Sequence, residues 1–165
     1  QWFIPFPASN QALNRSRRFT MSKLAKVDVV DPVRNGSRFL IGFYTLFAIS
    51  AGVRASYQLV TKWQHAPLAY SLSTLAALIY LVACIGLSRR SPTAWRTTVA
   101  LCTFELLGVL IVGSVTLLYP NLFADETVWS VFGQGYGFVP LVLPIIGLYW
   151  LTRPATRRAY GIATD

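Results

Sequence analysis

Residues 67–87 read PLAYSLSTLAALIYLVACIGL, a stretch of 21 residues without a single charged side chain. An α-helix needs about 20 mostly apolar residues to cross the hydrocarbon core of a bilayer. Because that core offers no water to backbone N–H and C=O groups, a crossing segment of this kind folds as a helix. The stretch therefore predicts a transmembrane helix.

Three further apolar runs cover residues 39–60, 97–119 and 128–151. The chain of 165 residues is 54% hydrophobic and only 13% charged, and a typical soluble domain is about 25% charged. This composition excludes an ordinary soluble domain and a disordered tail. We predict an all-α integral membrane protein with four transmembrane helices over residues 38–153. An N-terminal arm, residues 1–37, precedes this domain, and a short tail, residues 154–165, follows it.

The basic residues are distributed unevenly along the chain. Thirteen of the 15 Lys and Arg residues lie before the first run, between the second and third, or after the fourth, and four crossings place these segments on one side. Basic flanks stay on the cytoplasmic side of a membrane. We therefore predict a plasma-membrane protein with both termini in the cytoplasm. The net charge of +9 then reflects topology and attraction to anionic lipids, and nucleic acid is excluded as a partner.

The N-terminal arm combines an apolar tip with a basic segment. A polar arm without a core of its own is ordered only if something else holds it. We interpret its aromatic and arginine side chains as candidate contacts with other membrane protein subunits or lipid headgroups. They are Trp2, Phe3, Phe6, Arg15, Arg17 and Arg18.

Two charged residues lie inside the apolar runs. Glu105 is the only carboxylate in any of them, and an ionisable group at membrane depth suggests a function. It is interpreted as a proton or cation site, as an ion-pair partner of another subunit, or as a structural residue hydrogen-bonded to Thr103 or to a neighbouring helix. Arg54 either extends to the outer headgroups or pairs with Glu105.

The fourth run contains FGQGYGFVPLVLP at residues 132–144. Glycine permits unusual backbone angles and proline interrupts helical hydrogen bonding, so we predict a fourth helix kinked by Gly and Pro, with an irregular outer half. The segment is interpreted either as a ligand or ion pocket of the kind found in transporters with discontinuous helices or as a packing face. The residues concerned are Gly133, Gly135, Tyr136, Gly137, Pro140 and Pro144.

Small residues line one face of each of two other helices. Gly108 and Gly113 lie on the third predicted helix, and small residues at helical spacing mark the second. Such stripes predict close contacts between helices. The residues of the second helix are Ala69, Ser73, Ala76 and Ala77.

Three stretches together resemble a family of small four-helix integral membrane proteins of actinobacteria. They are residues 66–78 (APLAYSLSTLAAL), 104–113 (FELLGVLIVG) and 127–144 (TVWSVFGQGYGFVPLVLP), the last being the most specific. The resemblance spans residues 35 to 153 and brings no assigned activity or catalytic residue. It implies a Gram-positive plasma membrane. Actinobacterial respiratory bc–aa3 supercomplexes are similar in carrying extra small helical subunits, which suggests a place for this chain in electron transport.

No catalytic motif, metal-ligand spacing or haem-ligand pair is found in the sequence. We therefore expect no enzyme activity, no metal and no cofactor, and leave open a bound lipid or quinone. The first hypothesis is a non-catalytic accessory subunit that docks in a larger membrane complex, with the respiratory supercomplex as the first candidate. The alternatives are a small transporter or channel using Glu105, Arg54 and the broken fourth helix, and a quinone- or lipid-binding module around Trp129, Tyr136 and Phe138.

Overall fold

The computed structural model describes residues 32–163, and the structural statements below concern this part of the chain. It contains no strand, which confirms the all-α prediction there. The candidate docking residues from Trp2 to Arg18 lie outside the described residues. The elements are α1 (Pro32–Thr61), α2 (Pro67–Ser88), α3 (Pro92–Leu118), a 3₁₀ helix (Ser130–Tyr136), α4 (Val139–Thr152) and α5 (Pro154–Ala159).

Proline marks the start of the helices. Pro32, Pro67 and Pro92 are the first residues of α1, α2 and α3, a position where the missing N–H of proline costs no hydrogen bond. Ser91 caps α3, since its hydroxyl accepts a hydrogen bond from the Ala94 N–H at 3.2 Å. Because α1 begins at Pro32, the last six residues of the predicted arm are helical.

Three helices, α1, α2 and α3, are long and apolar enough to cross a membrane. This confirms the expected membrane-spanning pattern for three of the four apolar runs. The fourth run folds instead as the 3₁₀ helix and α4, whose axes differ by 98°. A fourth crossing is present only if this bent pair counts as one broken span.

The bend in the fourth run lies between its two helices. Gly137 and Phe138 both have left-handed backbone angles, with φ of 62° and 61°. Pro140 falls in the first turn of α4, where proline is tolerated, and Pro144 lies inside α4. The change of direction therefore comes from residues 137 and 138, and a kink of α4 at its prolines stays a prediction.

The 3₁₀ helix and the residue before it lie against the glycines of α3. A Cβ at Gly108 would come within 2.9 Å of the Trp129 ring, and one at Gly113 within 2.6 Å of Phe132. The small residues of α3 thus receive aromatic side chains from the 129–132 segment. Phe132 belongs to the 3₁₀ helix, so the contact at Gly113 is one between helices.

The core lies where α2, α3 and α4 meet, and the small-residue face predicted for α2 is buried as expected. Helix α1 contacts this core through large side chains. The Tyr80 ring of α2 lies 6.0 Å from those of Tyr44 and Phe47 in α1. Aromatic contacts therefore fill the space between α1 and the rest of the bundle.

The end of the bundle that holds the 89–91 loop, which we call the basic side, is covered by the C-terminal residues. Tyr160 is 2% exposed, its ring packs on Trp150 at 6.3 Å, and its hydroxyl donates to the Leu87 carbonyl at 3.1 Å. Burial raises the pKa of Tyr160, and Arg90 opposes that shift. The hydroxyl therefore keeps its proton, and with it the hydrogen bond that closes this end.

Candidate functional site

Glu105 lies near the middle of α3 and is 0% exposed. Neither of its carboxylate oxygens has a hydrogen-bond partner within the described residues. The hydroxyls of Tyr44 and Tyr80 are close neighbours of this carboxylate, but neither reaches the distance and angle of a well-formed hydrogen bond with its oxygens. A buried polar group in a native protein normally has a partner, so this carboxylate, with neither oxygen in a well-formed hydrogen bond, is a candidate functional group.

Two more unpartnered polar atoms accompany the Glu105 carboxylate. They are the Tyr80 hydroxyl and the Trp129 Nε1–H, both buried. A fourth side chain, Tyr44, bonds instead to the Cys102 sulfur at 3.2 Å. We call these five side chains the Glu105 cluster. It offers one carboxylate, two hydroxyls, a thiol and an N–H donor inside an apolar bundle.

Four different segments of the fold supply the five members of the Glu105 cluster. Tyr44 comes from α1, Tyr80 from α2, and Glu105 and Cys102 from α3. Trp129, 2% exposed, is brought in by the segment before the 3₁₀ helix, which is tied to α2 by the Val128 N–H donating to the Ser73 hydroxyl at 3.3 Å. The cluster therefore exists only in the assembled bundle.

Arg54 does not pair with Glu105. Its guanidinium donates to the Tyr136 hydroxyl at 3.2 Å and lies 5.7 Å from the centre of that ring, and the side chain is exposed. Thr103 is no partner of Glu105 either, since its hydroxyl donates to the Val99 carbonyl at 2.9 Å. The two intrachain pairings that the sequence suggested by name for Glu105 are thus not formed.

Further polar groups lie at the opposite end of the bundle from the basic side. We call this end, formed by residues 62–66 and 119–129, the loop side. Here Tyr70 donates to the Asp125 carboxylate at 2.9 Å and interacts electrostatically with Arg54. Arg54 and Tyr136 therefore belong to a polar region that continues to the loop side.

The glycines and prolines of the fourth run serve the packing of this region. Gly133 has φ of +80°, and a Cβ there would come within 2.8 Å of the Pro140 ring. Gly137 ends the 3₁₀ helix in the left-handed region, Gly135 is exposed, and Pro140 and Pro144 are buried. Tyr136 lies between Gly135 and Gly137 in this segment, and its hydroxyl accepts the hydrogen bond from Arg54.

The residues proposed for a quinone or lipid module differ widely in solvent exposure. Trp129 is inside the bundle, whereas Phe138 is 45% exposed. An apolar groove of about 230 Å³ lies elsewhere, between α1 and α2, beside Ala48, Gly52 and Ala77. In the described part of the chain, no three His, Cys, Asp or Glu side chains are grouped as metal ligands.

Glu105 and Trp129 could be singled out from the sequence, but not their contact with each other or with the other three side chains of the Glu105 cluster. Tyr44, Tyr80 and Cys102 each occur within an apolar run, where a tyrosine is usually counted as part of the hydrophobic surface. A hydroxyl far from either end of a run was the available signal, because a buried tyrosine O–H usually needs a partner.

Fold and site together define a helical chain with three helices able to span a membrane and an acidic polar cluster buried among them. No protein-family model, no curated protein and no solved structure matches this chain.

Proposed function

We propose that this chain is a small multi-pass transport protein that binds a cation, a proton included, at Glu105. The observation that supports the proposal is the pair of unpartnered carboxylate oxygens on a fully buried side chain. An ionised carboxylate in an apolar interior is costly without a compensating partner. A bound cation removes that cost, and a site of this kind at membrane depth is typical of ion and proton pathways.

The proposed topology has four crossings, with the bent pair as the fourth, in the plasma membrane. The charge distribution supports it, because Arg89 and Arg90 follow α2, Arg153 follows α4, and Asp125 and Glu126 occupy the loop side. Basic segments stay in the cytoplasm. The basic side, with both chain ends, would then face inward and the loop side outward.

Ion flux into reconstituted vesicles tests the transport proposal. The full chain is placed in liposomes, and uptake of H⁺, Na⁺ and K⁺ is measured under an imposed membrane potential. We expect flux of one of these cations above that of empty vesicles. Glu105→Gln should abolish it, since the amide keeps the shape of the side chain but carries no negative charge and takes up no proton at neutral pH.

The matched control for this experiment is Glu126→Gln. Glu126 undergoes the same chemical change but is exposed on the loop side. The cation flux of the Glu126→Gln variant should therefore equal that of the unsubstituted chain. If Glu105→Gln and Glu126→Gln behave alike, or if no cation crosses faster than in empty vesicles, the transport proposal is wrong.

The accessory-subunit role also stays a proposal of ours. Its support is the sequence of the arm, with Trp2, Phe3 and Phe6 at an apolar tip and three arginines beyond it. Purification of the intact chain in mild detergent, beside a chain lacking residues 1–31, tests it. A respiratory partner retained only by the intact chain is the expected result, and migration of both chains alone would contradict it.

A further inference from the structure

We propose that the cation held at Glu105 is a proton, and that it enters from the loop side through the hydroxyls of Tyr136 and Tyr80, with Arg54 holding Tyr136 in position. This inference rests on the proposed function, because it names the species that the Glu105 site carries. Four features of the described residues support it.

The first feature is the set of groups around the Glu105 carboxylate. Metal ions such as Ca²⁺ are held by six to eight oxygen ligands, whereas this cluster supplies one carboxylate, hydroxyls, a thiol and the Trp129 N–H. An N–H donor turns the positive end of its dipole toward its neighbours, which disfavours a metal ion. A proton needs only one carboxylate oxygen.

The second feature is the absence of a competing charge in the described cluster. The titratable groups that face Glu105 are Tyr44 from α1, Tyr80 from α2 and Cys102 on α3 itself. From the 3₁₀ helix, the Tyr136 hydroxyl interacts with Tyr80. None of these side chains is a lysine, an arginine or a second carboxylate, so within residues 32–163 no cationic side chain already neutralises Glu105.

The third feature is the order of the hydroxyl groups. The Tyr80 and Tyr136 rings both pack on Phe47, at 6.0 and 6.3 Å, and the Tyr80 hydroxyl interacts electrostatically with Glu105 and with Tyr136. This hydroxyl has no hydrogen-bond partner among the described residues. The Tyr136 oxygen accepts a hydrogen bond from Arg54, and an arginine does not give up its proton in proteins. The Tyr136 oxygen is thereby held by a fixed donor, and its own O–H remains to donate elsewhere.

The fourth feature is the closure of the basic side. Trp95 donates to the Leu151 carbonyl at 2.9 Å, and Tyr160 covers the end of α2 through its bond to Leu87. A Cβ at Gly86 would overlap the Thr98 hydroxyl, so α2 and α3 are in close contact here. In this conformation the described polar groups that continue from Glu105 therefore lead to the loop side, and uptake into vesicles requires the contacts of the basic side to open in turn.

The proposed transfer conserves atoms and electrons. Water molecules bridge the gaps between the loop side, Tyr136, Tyr80 and Glu105. Each hydroxyl oxygen accepts a proton from the water before it and releases its own to the water after it. The last water, having accepted the Tyr80 proton, breaks one of its O–H bonds and passes that proton to a Glu105 oxygen. No bond between heavy atoms changes, and neither an oxidant nor a reductant is consumed.

The test compares three tyrosine variants of the full chain in liposomes, with H⁺, Na⁺ and K⁺ uptake measured in parallel. Tyr80→Phe and Tyr136→Phe each remove one hydroxyl of the route, whereas Tyr57→Phe removes one from an α1 side chain that is 60% exposed. We expect the unsubstituted chain to carry H⁺ and neither Na⁺ nor K⁺. H⁺ uptake by Tyr80→Phe and Tyr136→Phe should fall to the level of empty vesicles, and H⁺ uptake by Tyr57→Phe should equal that of the unsubstituted chain.

A second measurement does not depend on flux. Infrared spectroscopy should detect the C=O stretch of a protonated carboxylic acid that is absent in Glu105→Gln. On transfer into D₂O this band should shift, and the shift should be slower in Tyr80→Phe than in Tyr57→Phe. A slower exchange indicates a route for protons, which a purely structural role of Tyr80 would not produce.

The outcomes separate the two proposals. Uptake of Na⁺ or K⁺ that is lost in Glu105→Gln would leave the transport proposal standing and overturn the proton inference. Proton uptake that Tyr80→Phe and Tyr136→Phe retain as fully as Tyr57→Phe would overturn the hydroxyl route. The absence of the carboxylic acid band would overturn the proton inference whatever the fluxes.

Discussion

Single glycines decide how closely the 129–132 segment approaches α3. A Cβ at Gly113 would lie 2.6 Å from both a ring carbon and the backbone nitrogen of Phe132. Backbone cannot rotate away as a side chain can, so the space at Gly113 cannot be filled without moving the 3₁₀ helix. The position of this helix in turn sets that of Trp129 in the Glu105 cluster.

Gly113→Ala should therefore destabilise the protein. Overpacking of a filled interior costs about 1–3 kcal/mol, and we expect a loss of that size in the free energy of unfolding, measured by titration with a denaturing detergent. Gly42→Ala is the matched control, because Gly42 is also helical and nothing lies within 4 Å of its added Cβ.

Alanine loses less conformational entropy than glycine when a helix forms. The free energy of unfolding of Gly42→Ala should therefore be unchanged or higher by up to about 1 kcal/mol. Equal stability of the two variants would mean that Phe132 does not lie against Gly113.

At the scale of elements, the 3₁₀ helix depends on a side chain of α3. Val131 and Phe132 have positive φ of 46° and 59°, which non-glycine residues adopt at a cost. The Val131 N–H donates to the Thr116 hydroxyl at 2.8 Å, and that hydroxyl donates to carbonyls of its own helix. One buried threonine thus holds a strained segment in place.

Thr116→Val keeps the shape of the side chain and leaves the Val131 N–H without its acceptor. A buried unsatisfied donor costs about 1–3 kcal/mol, so we expect this loss in the free energy of unfolding. We also expect increased amide hydrogen exchange across residues 130–136. Thr103→Val is the control, because the Thr103 hydroxyl bonds only to its own helix, at the Val99 carbonyl.

Exchange at residues 130–136 should be unaffected by Thr103→Val. If Thr116→Val and Thr103→Val lose equal stability, and amide hydrogen exchange at residues 130–136 does not increase in Thr116→Val, then the 3₁₀ helix is held by something other than Thr116.

At the scale of the whole molecule, the direction of α4 decides the topology. Three helices are long and apolar enough to span a membrane. The 3₁₀ helix and α4, whose axes differ by 98°, form either a broken fourth span or a re-entrant loop. A broken span returns the C-terminal residues to the basic side, whereas a re-entrant loop leaves them at the loop side. Closure of the basic side by Tyr160 favours the broken span, because Tyr160 bonds to Leu87 at the end of α2.

Reporter fusions distinguish these two topologies. Alkaline phosphatase, which is active only outside the cytoplasm, is fused after Asn121 or after Asp165 in a bacterial host. We expect activity for the first fusion and none for the second, where green fluorescent protein should instead fluoresce. Phosphatase activity in both fusions would mean a re-entrant loop and three crossings.

The three helices that are long and apolar enough to cross a membrane could be predicted from the sequence alone, and so could the position of a carboxylate inside one of them. Whether a helix can enter the bilayer depends on the length and apolarity of its own segment. Both can be read directly from residues 67–87 and 97–119. A lone carboxylate in such a run is equally visible without a structure. The buried small-residue face of α2 followed from helical periodicity for the same reason.

Only the tertiary structure decided what surrounds Glu105. Tyr44, Tyr80 and Trp129 are far apart in the sequence and meet because α1, α2 and the 129–132 segment pack on α3. It also decided that Arg54 bonds to Tyr136 instead of Glu105, and that the fourth run bends at residues 137 and 138. Such contacts depend on distances between elements and on left-handed backbone angles, and neither is encoded in the apolarity of a run.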